Sequence, residues 1–153
     1  MAHVQQQILD ALQAALASAG TAAAARVYVE RVDPLPQTQL PALLLEEAEG
    51  GETIGELLLD GTQERIYAIT IACAVQSASN YGAQARALGL QVEQLLASDT
   101  LAMAPLIALC SGGIRLAAVR MATTGEGEQT LAVRLHTWLF TYFAHQARPD
   151  TAL

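Results

Sequence analysis

The chain has 153 residues, a net charge of −7, and a composition that is 52% hydrophobic but only 15% charged. That length supports about one ordinary domain with its own core, and that composition excludes a disordered chain. No basic run exists, which argues against a grip on nucleic-acid phosphates. No apolar run reaches membrane-spanning length, because "LAMAPLIALC" is short and contains Pro105. The first 20 residues lack the basic region and long apolar core of a signal peptide, so the chain is read as cytosolic at synthesis. Cys73 and Cys110, without a C-x-x-C spacing, read as buried thiols of a reducing compartment.

In chain order, Val4, Ile8, Leu12, Leu16 and Ala19 recur at helical spacing and Gly20 follows, which predicts an amphipathic helix. Residues 26–32 read as a strand. Pro34, Pro36 and Pro41 then make a stiff connector that forbids both a helix and a tight hairpin. It holds the chain extended and prevents extra ladder bonds at an exposed edge. A second strand covers 42–47, starting where a proline costs no ladder bond. Residues 49–64, with four glycines and the turn dipeptide Asp60-Gly61, read as a protruding hairpin arm.

Residues 66–75 place Tyr67, Ile69, Ile71, Cys73 and Val75 on one side and Ile66, Ala68, Thr70, Ala72 and Ala74 on the other. Neither side is polar enough for solvent, which predicts a central strand covered on both faces. Residues 77–80 can cap a second helix with the stripe Tyr81, Ala85, Leu88, Val92 and Leu95. Gly89 weakens that helix by about 1 kcal/mol relative to alanine without ending it. A short apolar segment runs to Cys110, a turn follows, and strands cover 114–123 and 130–144 around a hairpin loop at 124–129. The last strand carries Leu131, Val133, Leu135, Leu139 and Phe143 on one face and Arg134, His136, Trp138, Phe140 and Tyr142 on the other. The expected fold is α+β: a mostly antiparallel sheet with two main helices on one face, in a single domain over 1–145 with a loose tail at 146–153.

A catalytic constellation is absent from this pattern. His3, His136 and His145 have no second ligand at metal spacing. "SGG" at Ser111 lacks the G-x-S-x-G context, and no phosphate-binding loop is present. Glu126 and Glu128 sit on a turn where nothing would raise a carboxyl pKa. Trp138, Phe140 and Tyr142 could stack on bases but lack flanking cations apart from Arg134, so a face packed on helices or on a neighbouring subunit is the better reading. Leu57, Leu58 and Leu59 stand in an acidic, glycine-rich arm, and either fold back on the core or meet another chain. No cofactor or metal is implied.

The whole layout resembles the tail terminator (minor tail protein U-like) proteins of long-tailed phages. The resemblance rests on the N-terminal helix, the connector "DPLPQTQLPALLLEE" at 33–47, the glycine-rich arm, the strand "RIYAITIAC", the helix "YGAQARALGLQVEQLL" and the closing "LHTWLFTYF". It implies a non-enzymatic virion protein at the head-proximal end of the tail, present in the host cytoplasm before assembly. Such a protein forms a hexameric ring, caps the tail tube, stops its polymerisation and meets the head–tail connector protein. DNA passes through the lumen without specific binding, and no membrane is involved. A ring needs two different patches on each subunit. The arm with Leu57–Leu59 and the face with Trp138, Phe140 and Tyr142 are the candidates, and Pro34, Pro36 and Pro41 would aim the arm. A head–tail completion or connector protein of similar fold is the alternative within the virion. A small cytosolic ligand-binding domain is the alternative outside it, and predicts a concave polar pocket.

Overall fold

The first apolar stripe forms helix α1 (Val4–Ser18), capped by His3, whose Nδ1 accepts the Gln5 amide at 3.1 Å. The computed structural model describes residues 1–125 and 130–153; Glu126 and Glu128, and most of the hairpin loop expected at 124–129, lie outside the described residues. Val4, Ile8, Leu9, Leu12, Ala15 and Leu16 of α1 are buried.

Strand β1 (Val27–Val29) is shorter than the strand expected over 26–32. The chain leaves it at Glu30, whose φ of +49° cannot continue a strand. β1 runs parallel to β2 (Ala42–Leu57), with Val27 opposite Leu43. That direction explains the connector: parallel neighbours cannot be joined by a tight turn, so the chain must travel back to the starting end of the sheet. Pro34 and Pro36 stiffen the return, Gln37–Gln39 make a single 3-10 turn, and Leu40-Pro41 is a cis peptide. Arg26 Nε donates to the Pro41 carbonyl at 2.8 Å and ties the two ends of the detour together.

β2 pairs antiparallel with β3 (Thr62–Ser77) through a wide bulge, in which Ala48, Glu49, Gly50 and Gly51 face Ala68 alone. Gly50 and Gly51 have φ of +93° and +58°, a backbone that side-chain-bearing residues rarely adopt. Past the bulge the hairpin runs to a turn at 58–61, closed by the Leu58 amide on the Thr62 carbonyl. The Asp60 carboxylate accepts the Thr62 amide at 2.8 Å, and that bond holds its pKa below the ordinary value.

Helix α2 (Tyr81–Leu96) follows β3, then helix α3 (Ala104–Leu109), with Pro105 in its first turn where a missing N–H is harmless. Strands β4 (Gly113–Thr124) and β5 (Thr130–His145) close the sheet, whose order is β1-β2-β3-β5-β4. β5 accompanies β3 for its whole length, from Thr62 opposite His145 to Ser77 opposite Thr130. The arm is therefore the far end of a three-stranded ribbon, and only the turn passes the end of β5. The fold is α+β with a mostly antiparallel sheet, as the element order predicts.

The tail differs from expectation. Arg148–Ala152 form strand β6 against the end of β5, beyond the reach of β4. Gln7 of α1 donates to the Asp150 carbonyl and the Ser111 hydroxyl donates to the Leu153 carbonyl. Backbone pairing and two side-chain anchors hold a segment whose composition reads as loose.

Candidate assembly surface

The three α-helices among the described residues lie on one face of the sheet. Tyr67, Ile69, Ile71, Cys73 and Val75 of β3 and Leu43 and Leu45 of β2 join α1, α2 and α3 in one core. Trp138, Phe140 and Tyr142 belong to this core, with exposures of 4%, 0% and 0%. This corrects the expectation that they form a subunit-facing patch: large aromatic rings fill the depth between sheet and helices and are out of a neighbour's reach.

Alternation therefore sends Leu131, Val133, Leu135, Leu139 and Phe143 to the opposite face, where all are half-buried. Strand pairing sets Ala68 beside Leu139, Ala72 beside Leu135 and Ala74 beside Val133. No described helix covers this face. The proline connector roofs only one end of it, enclosing a cavity of about 220 Å³ between Pro34, Leu35, Leu40, Leu44, Leu131 and Val133. The expected cover on both sides of β3 is thus present on one side and at one end of the other.

At the arm, Leu57, Leu58 and Leu59 have exposures of 51%, 54% and 110%. They do not fold back on the core. The arm's root is fastened on the helix side: Tyr142 donates to Glu52 Oε1 at 2.5 Å, and Arg65 Nη1 meets Glu52 Oε2 at 3.3 Å. Burial and the neighbouring Glu52 carboxylate raise the Tyr142 pKa, so the phenol stays protonated and donates. The sequence-predicted leucines and aromatics are therefore linked through one strand system but lie on different surfaces. The outward residues that replace the aromatics carry their signal in the same alternation, read with the opposite sign.

Chemistry is sparse. Burial raises Cys73 and Cys110 to about 12, so both remain inert thiols at neutral pH. His136 is fully buried under α2, with Nδ1 3.9 Å from Glu93 Oε1, and burial lowers its pKa. A Cβ placed on Gly89 would lie 2.8 Å from His136 Nε2, so α2 approaches the sheet closely because residue 89 has no side chain. Among the described residues no cluster of three His, Cys, Asp or Glu side chains is arranged to hold a metal. No single helix among them is long and apolar enough to cross a membrane.

No family model and no curated protein matches the chain. Among solved structures it is similar to a chain from the virion of a native gene transfer agent particle. The TM-score is 0.43 at 15% sequence identity, covering 91% of this chain and 92% of that one. A likeness that distant assigns neither family nor role.

Proposed function

We propose that this protein is a structural virion component of the tail-terminator type, without enzymatic activity. Six copies form a ring at the head-proximal end of the tail, cap the tube, stop its polymerisation and offer the head connector its docking surface. The sequence resemblance suggests the role. The observation that carries it is a sheet face that no described helix covers, where Leu131, Val133, Leu135, Leu139 and Phe143 stand beside a polar cavity lined by Glu46, Thr70, Arg120 and Thr137, together with an arm that ends in three exposed leucines. Three neighbouring exposed leucines are apolar surface that a monomer gains little by leaving in water, and two distinct patches on one subunit are what a closed ring requires. The net charge of −7 suits a lumen through which DNA slides without adhering.

Electron microscopy of the purified protein tests this reading, together with a polymerisation assay containing the tail tube protein. Six-fold rings that halt tube growth are expected. A monomer that leaves tube growth unchanged would overturn the proposal, and a ring that leaves it unchanged would move the role to a head–tail connector.

A further inference from the structure

The two long edges of the sheet carry opposite charge. Residues 46–64 hold seven of the fifteen acidic residues and no basic one. Glu52 is neutralised by Arg65, whereas Glu46, Glu47, Glu49, Glu56 and Asp60 are exposed. β1 stops pairing at Leu45, so the outer edge of β2 beyond it has no neighbouring strand among the described residues. At the other end of the sheet order, β4 is 12 residues long and contains Arg115 and Arg120 but no acid. Both arginines are exposed, stand opposite Leu139 and Leu135 on the uncovered face, and make no ion pair among the described residues. Arg120 also lines, with Glu46, Glu47 and Glu49 of its own copy, a cavity of about 360 Å³ on that face, whereas Arg115 stands clear of it. An open strand of this length without proline is a template for pairing with another chain unless something covers it.

We propose that the acidic β2 edge and arm of one copy lie along the β4 edge of a second copy, with Arg115, and Arg120 from the rim of that cavity, facing the carboxylates. Because the two surfaces differ, the contact is head-to-tail and closes into a ring when the rotation allows. Opposite charge sets the register and the direction of approach, and main-chain bonds between the two open edges add to it. The inference rests on the ring reading and names the contact that builds the ring.

Native mass spectrometry on two charge-reversed variants tests it. Arg115→Glu/Arg120→Glu makes both edges acidic, and Glu46→Arg/Glu47→Arg/Glu49→Arg/Glu56→Arg leaves both edges net basic. Each variant alone is expected to be monomeric, while an equimolar mixture re-forms rings with alternating subunits. A variant that forms rings as well as the parent, or a mixture that stays monomeric, would overturn the contact. Amide exchange on the parent gives a check without substitution: β4 amides exchange slowly in the ring and fast in subunits separated by high salt. Equal rates in both forms refute the contact. A parent that is monomeric at every concentration refutes the ring reading itself, and this contact with it.

Discussion

On the helix side of β5, Trp138, Phe140 and Tyr142 are at most 4% exposed. One residue out of phase on the same strand, Leu135, Leu139 and Phe143 remain half-buried with no described helix above them. The two sets are similarly apolar and are carried by the same backbone. What separates them is the layer above: α2 packs on β3 and β5, and α1 and α3 pack on each other, all on the aromatic side. Apolar alternation thus marks surfaces that must leave water, and a helix layer is only one way to cover them.

The largest contrast between the faces comes from truncation on the covered side. Phe140→Ala is expected to cost about 3–5 kcal/mol, because the helix layer cannot collapse into the space of a ring. Urea unfolding gives the number, and a cost below about 1 kcal/mol would mean that the face is not packed as described.

Next in size is Gly89→Ala. Alanine is the better helix former by about 1 kcal/mol, yet its Cβ would meet His136 Nε2 at 2.8 Å and Arg134 Cδ at 3.2 Å. A net loss of about 1–3 kcal/mol is expected from overpacking, relieved when His136→Ala is added. A stabilised single variant would show that α2 has room to move.

The pH response of the covered face follows from His136. Burial lowers its pKa from the ordinary 6.5, so the folded protein holds the neutral form more firmly than the unfolded chain does. The unfolded chain therefore binds more protons as pH falls below about 6.5, and the stability contributed above that value is progressively lost. The unfolding free energy from urea titration is expected to drop between pH 7 and pH 5.5, by at most about 1.4 kcal/mol per pH unit for one proton. His136→Leu should flatten that segment; an unchanged slope would assign the effect elsewhere.

The smallest effect is expected on the uncovered side. Leu139→Ala in the isolated subunit should cost less than about 1 kcal/mol, since no layer above it loses contacts. A loss comparable to that of Phe140→Ala would show that this face is sealed within the subunit.

Much of the fold is legible in the residues because it is written in local patterns. The α1 stripe, the Asp60-Gly61 turn and the alternation of β3 each depend on spacing alone. The proline connector was only half legible. Pro34 and Pro36 declare stiffness, but the need for that stiffness is the parallel pairing of Val27–Val29 with β2, a long-range fact. The tail at 148–152 was illegible for the same reason: its strand exists because β5 extends past β4 and leaves an edge to fill. The leucine tip of the arm was legible as a question, and its exposure answers it.

By itself, the sequence determined the α+β class, the order of its elements apart from α3 and β6, the two faces of the main strands and the leucine-tipped arm, because these follow from periods of 3.6 and 2 and from turn residues. Tertiary structure alone decided which face the helices cover. It also set the acidic β2 edge and the arginine-bearing β4 edge at opposite ends of the sheet. Side-chain alternation is symmetric between faces and says nothing of strand order, and that symmetry is broken only when helices and strands far apart in the chain pack together.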